Sequence, residues 1–297
     1  MKIRCRNQIR VWVVIAAALI TSGLSAQTAL IEQGRTAIQR GDHDAAISTM
    51  EKAVAQHPDN AEAHFGLSLA YGSKAQKGGL LAMANYGSKA KGACERAVAL
   101  DPNHLEARFG LVQFYAQAPA AMGGSQAKAF KQAEEIKALD RVMGHRAYAS
   151  IYAHQKKLDL ARKEYAEAIR EQPSSAIAHT YFGQHLANVE KNYPAACAEF
   201  ETALKLDPRH MPALYHLGRA ASSGAVNLSR GEEALKKYLA YQPKPNEPPL
   251  ASAHYHLGAI YEKTTRRAEA QQSYQATLKS NPTHKQATDA LKRLSHP

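Results

Sequence analysis

The chain is poor in the features that announce chemistry. Its 297 residues hold only three Cys, one Trp and six Phe. It has no GxSxG elbow, no phosphate-binding loop and no GxGxxG following a strand pattern. HExxH and paired CxxC motifs are missing as well. Together these absences remove the motifs from which hydrolase, nucleotide-dependent or zinc chemistry would be read, so a non-enzymatic protein without cofactor or metal is expected. The formal net charge is +12, yet no Lys/Arg run is long enough for a nucleic-acid stripe. Few large aromatics and much Ala favour close-packed helices over a sheet core. With 45% hydrophobic and 22% charged residues, the composition is that of a folded chain.

What is present begins with an N-terminal pattern. MKIRCRNQIR carries four basic residues and no acidic one, VWVVIAAALI is apolar, and TSGLSAQ supplies small residues. That order predicts an export signal over 1–26, cleaved near Ala26. The apolar stretch is short for a membrane span, which needs about 20 residues. A periplasmic or envelope location follows, with membrane contact only through an uncleaved signal or a partner. Loss of 1–26 lowers the charge from +12 to +8. Cys94 and Cys197 fall in different helical stretches, and two separate buried thiols are expected although export would permit a disulfide.

The body of the sequence repeats. On a 34-residue grid begun at 27, Gly34, Ala46, Met50, Ala53 and Pro58 occupy positions 8, 20, 24, 27 and 32. The same grid from Val142 gives Ala149, Tyr152, Ala161, Tyr165, Ala168 and Pro173. From Ala251 it gives Leu257, Gly258, Tyr261, Ala270, Tyr274 and Pro282. Small residues at 8 and 20 let two helices approach, larger ones at 11 and 24 fill the seam, and Pro at 32 stops the second helix. Units begin near 27, 61, 105, 142, 176, 211 and 251.

Four units are longer. The one from Ala61 reaches its proline ten residues late, which predicts a tall hairpin turning at Gly78-Gly79, with about five extra residues in each helix. The unit from Leu105 carries the loop AQAPAAMGG, followed by Ser125 as an N-cap. The unit from Ala176 has one extra residue, placed near Asn192. The unit from Met211 has a Ser/Gly-rich turn and ends in the Pro-rich connector QPKPNEPPL.

This pattern resembles the tetratricopeptide repeat family over nearly all of 27–284. The resemblance implies an all-α, right-handed superhelical solenoid of about seven helix-turn-helix repeats. Residues 285–297 form a C-terminal capping helix whose apolar residues are Ala287, Ala290, Leu291 and Leu294. A lone repeat cannot bury its apolar face, so the units must stack. In the family the first helix of each pair lines a concave groove. Carried over by position, the candidate groove residues are Phe65, Phe109, Arg146, Gln184, Tyr215, His216, Arg219, Tyr255 and His256, with Tyr181 beside them. Aromatic anchors next to Arg and Gln suit a protein or peptide partner, and the positive charge favours an acidic one. The groove position where carboxylate-clamping repeats place Asn holds Glu32, Gly66, Gly110, Ala147, Tyr181, His216 and His256. A chaperone-tail clamp is therefore not expected.

A second candidate surface is an apolar edge formed by Leu80, Leu81 and Met83 at the tall hairpin's tip and Met122 in the neighbouring loop, unless the loop folds over the hairpin and buries these residues. Of the fourteen His, four (His64, His145, His179, His254) recur at position 4 of different units and are read as inter-helix packing rather than metal ligands. The expected function is a scaffold or adaptor that assists assembly of an envelope complex. A glycan-binding module in polysaccharide or peptidoglycan traffic, stacking sugars on Tyr215 and Tyr255, is the alternative.

Overall fold

The computed structural model describes residues 28–244 and 247–295, with the side chain of Leu80 left out. The export signal lies outside the described residues. Among those residues the only regular elements are helices. Helix α1 spans 28–39. Its successors are α2 His43–Gln56, α3 Ala61–Lys77, α4 Gly79–Leu100, α5 Leu105–Gln117, α6 Gln126–Leu139, α7 Arg141–His154 and α8 Leu158–Glu171. Then come α9 Ala176–His185, α10 Tyr193–Leu206, α11 Met211–Gly224, α12 Leu228–Leu239, α13 Leu250–Lys263, α14 Arg267–Ser280 and α15 Lys285–Ser295. None is long and apolar enough to cross a membrane.

Proline sets the punctuation. Pro58, Pro102, Pro173, Pro208 and Pro282 each stand two residues beyond the end of a second helix, and each next helix begins three residues later. A residue before proline is barred from the helical region. Accordingly His57, Asp101, Gln172, Asp207 and Asn281 all leave the helix, with φ between −129° and −138°. The next helix is often restarted by a side-chain cap: Asn60 accepts from Ala63 N at 2.7 Å and Ser175 from Ala178 N at 3.2 Å. Ser125 caps α6, as its position predicts.

Close approach at a position-8 glycine locks four of the pairs. A Cβ on Gly34 would sit 2.7 Å from the Met50 methyl, and one on Gly258 would sit 2.8 Å from the Tyr274 ring. Gly183 faces Phe200 and Gly218 faces Leu235 in the same manner. The large partners Met50, Phe200, Leu235 and Tyr274 are almost wholly buried. Each is worth several kcal/mol only because the opposing residue has no side chain.

The described chain divides into two compact units. The first takes 28–38 and 42–102 and holds α1 to α4. The second takes 39–41 and 103–295 and holds α5 to α15. The first unit's core gathers Ile31, Met50, Leu67 and Tyr71. The Tyr71 hydroxyl donates to Glu51 at 2.7 Å, and Arg35 pairs with Glu32 and Glu62. In the second unit the largest core runs from Leu186 to Ala290 through Phe200, Leu217, Leu235, Tyr238, Ile260 and Tyr274. It closes under α15, whose Ala287 and Ala290 are buried while Leu291 and Leu294 pack at its edge. This is the cap expected at a solenoid end.

The insertions are absorbed in three different ways. The tall hairpin turns on Gly78, as the glycine pair predicts, but it lengthens unequally. Helices α3 and α4 have 17 and 22 residues, against 14 each in α7 and α8, because the turn itself shrinks to one residue. The AQAPAAMGG loop forms a 3₁₀ turn, Ala120–Met122, and Gly123 follows it at φ 91°. The extra residue of the unit from Ala176 lies just ahead of Asn192, where it is expected, but not in the turn itself. Asn192 is already the cap of α10, accepting from Ala195 N at 3.2 Å. The spare residue instead widens the end of α9 into a π-turn, Leu186–Glu190, closed by Lys191 in the left-handed region at φ 57°. Cys94 and Cys197 are buried free thiols, and burial pushes both up to about 11.

Candidate binding face

In the second unit the first helices of successive pairs, α5, α7, α9, α11 and α13, stack side by side in one row. Helices α7, α9 and α11 contain no Asp or Glu at all. The second helices carry the carboxylates: Glu164, Glu167 and Glu171 on α8, Glu199 and Glu201 on α10, Glu232 and Glu233 on α12. Several are engaged by side chains of the repeats themselves. His145 Nδ1 lies 2.7 Å from Glu164 and His179 Nδ1 lies 2.7 Å from Glu199, one clasp per unit. Position 4 thus joins the two helices of a pair at His145 and His179, whereas His64 meets the Pro58 carbonyl at 2.9 Å. Among the described residues no group of three or more His, Cys, Asp or Glu could hold a metal ion.

Among the described residues, two arginines of the row find no carboxylate. Arg146 on α7 lies between two rings, its guanidinium carbon 4.3 Å from the Phe109 centroid and 4.2 Å from that of Tyr181. Each contact is worth about 0.5–1 kcal/mol at a half-exposed site, and together they hold the fork in place. Arg219 on α11 donates to Asn188 Oδ1 in the π-turn. The π-turn also disposes of its own acid. Glu190 is turned away, accepting from Arg162 Nε at 2.8 Å and lying 3.1 Å from His185 Nε2, with its side chain 5% exposed. The Arg162 guanidinium holds Glu190 below the usual carboxylate range.

The hollow beside Arg219 encloses about 290 Å³ and is walled by residues of α11 and the π-turn, with Lys191, Tyr193 and His256. Asn188, Lys191 and Ser223 are exposed in it. His256 meets the Ser222 hydroxyl at 2.9 Å, and burial, then Arg219 and His284, drive it down to about 3. His216 stacks on Phe200 with centroids 5.8 Å apart and keeps a buried Nδ1 with no partner. Burial, reinforced by Arg219 and Arg146, holds it well below the usual histidine value. Both imidazoles are therefore neutral at pH 7, and the face takes its positive charge from Arg146, Arg219 and Lys191.

The structure places the sequence-predicted residues unevenly. Arg146, Gln184, His216, Arg219, Tyr255 and His256 fall on the stacked row, half-buried, and Phe109 joins them as one jaw on Arg146. Tyr215 is no open anchor. It is 6% exposed and packs against Tyr238, His216 and His256. Tyr255 spends its ring on His256, Tyr274 and His284. Phe65 belongs to the first unit and is buried there. Position 5 faces the groove in the family, but here Tyr238 and Tyr274, on the second helices of the same pairs, pack against Tyr215 and Tyr255. Sequence reasoning missed Asn188, Lys191 and Ser223. The one-residue insertion was the signal for the first two. At the first unit's hairpin tip Leu81 is 87% and Met83 52% exposed, whereas Met122 in the second unit is half-buried. Leu80 lies outside the described side chains.

With this geometry in hand, sequence profiles described as tetratricopeptide repeat match residues 31–72, 183–248 and 251–284. The chain is a tetratricopeptide repeat protein. Its helices, caps and glycine contacts are those of that family's stacked pairs. No curated protein matches it in sequence. Among solved structures it is similar to the human IFIT1 dimer with PPP-AAAA, at 21% identity and a TM-score of 0.51, covering 86% of this chain and 59% of that one. It is also similar to yeast Tom70, at 14% identity and a TM-score of 0.54, covering 85% of this chain and 59% of that one. These likenesses are of fold, and this tetratricopeptide repeat chain spans 59% of the length of each.

Proposed function

We propose that this protein is a non-enzymatic scaffold that holds an acidic segment of a partner protein along the α5–α13 row. One observation carries the reading. Three consecutive helices of the row lack carboxylates, and Arg146 and Arg219 stand on them without an acidic mate. The contrast with the rest of the surface matters, since Arg162, Arg170, Arg230, Arg266 and Arg293 are each paired with Glu. An arginine already immobilised by aromatic jaws loses little entropy when it binds, which favours its use as an anchor. The export signal read from 1–26 supports placing this task in the periplasm or envelope, with assembly of a complex there as the setting. Sugar stacking is less well supported, because the two tyrosines it would use pack against other side chains.

In-cell photo-crosslinking tests the reading. A crosslinker at Gln184 on the row should trap a protein, and Arg146→Gln should remove the adduct. A crosslinker at Glu167 on outer helix α8 should trap none. Adducts from Glu167 alone would overturn the assignment of the face.

A further inference from the structure

A π-turn widens the backbone spiral and loosens its hydrogen bonds, so it persists where its geometry is used. Here the widened turn Leu186–Glu190 brings Asn188 to the Arg219 guanidinium and leaves Lys191 in a left-handed conformation at the rim of the same hollow. Asn188 accepts from Arg219 through its oxygen, which leaves its amide N–H groups as donors. Ser223 adds a hydroxyl from α11. No Asp or Glu lines the hollow. The charged or titratable groups that bear on His256 and His216 are Arg219, Arg146, His210 and His284. A polar concavity with several donors, two cations and no anion has an unmet need for an oxyanion.

We infer that the hollow between the π-turn and α11 is a subsite for one oxyanion, a carboxylate or a phosphate carried on the partner's chain. Arg219 is its principal ligand, and Asn188 and Lys191 are placed by the π-turn. The inference rests on the scaffold reading above and names the group that this part of the row recognises.

The test uses the full chain with three probes: octaglutamate, a phosphoserine octapeptide and inorganic phosphate. Octaglutamate and the phosphoserine peptide separate the two sources of the oxyanion, and whichever saturates more tightly identifies it. Affinity is expected to fall at least tenfold in Arg219→Gln, with partial recovery in Arg219→Lys, and several-fold when Val189 is deleted to restore an ordinary helical turn. Circular dichroism establishes that the variants are folded. Nuclear magnetic resonance of the His256 ring supplies a second readout, because an anion beside Arg219 should raise that imidazole from about 3. A merely structural arginine would leave the ring's titration unmoved by the probes. Equal affinity in wild type and Arg219→Gln, with loss in Arg146→Gln, would overturn the subsite and leave the row as the binding face. Absence of binding by all three probes while Gln184 still crosslinks to a protein would do the same. If the probes fail and Gln184 traps nothing, subsite and scaffold reading both fall.

Discussion

The α3–α4 pair of the first unit takes in ten extra residues within two regular helices, whereas the α9–α10 pair of the second takes in one and acquires a π-turn. The tall hairpin α3–α4 adds length to both of its helices, though unequally, so its new residues continue regular spirals. In α9 a single residue has no counterpart on α10. It cannot extend the pair, and Asn192 already occupies the turn as a cap. The surplus therefore enters the hydrogen-bond ladder itself. Residues added to both helices of a pair change its height, whereas a single residue added to one helix changes its regularity. The charge follows the same division. The tall hairpin ends in exposed Leu81 and Met83, and the irregular turn ends in polar groups around Arg219.

Core truncations should weaken both units and give the largest effect. Phe200→Ala, opposite Gly183, is expected to cost about 3–5 kcal/mol in urea unfolding, and Met50→Ala, between Gly34 and Gly66, about 2–5. Hydrogen exchange should locate each loss in its own unit. Acid sharpens the contrast next. His256 is neutral when folded at about 3 and protonates near 6.5 when unfolded, so below pH 6.5 the unfolded chain binds more protons. Stability should be constant above that value and fall as pH drops. The loss from this residue is about 2–3 kcal/mol near pH 4.5, and His256→Phe should flatten the curve. Deleting Val189 should change stability by about 1 kcal/mol or less, since an unsatisfied turn is exchanged for a lost Asn188–Arg219 bond. Leu81→Ser with Met83→Ser should be smallest, within about 0.5 kcal/mol, as expected of side chains already in water. A melting temperature lowered by several degrees would instead mean that the tip is buried.

Much of this was legible beforehand because repeat architecture writes its packing into spacing. The five prolines, the glycine at position 8 against a large residue at 24 and the cap at Ser125 all follow from local rules, and all are met. The row's Arg146 and Arg219 were legible by position, but their surroundings were not. The rings that grip Arg146 come from two other units, and no local pattern couples them. Tyr215 and Tyr255 share a groove-facing position, yet Tyr238, Tyr274 and His284 cover their rings. The insertion was visible in length and place but not in form, because a loop, a helix end and a π-turn can each absorb one residue.

The order of residues by itself determined the helical pairs, their limits and their need to stack, since each is set by interactions within about one repeat. Only the tertiary structure decided where a surplus residue goes, which aromatic rings stay open and which arginines keep no carboxylate. Those outcomes depend on what neighbouring pairs bring to the same point in space, and that sum is not written in any one of them.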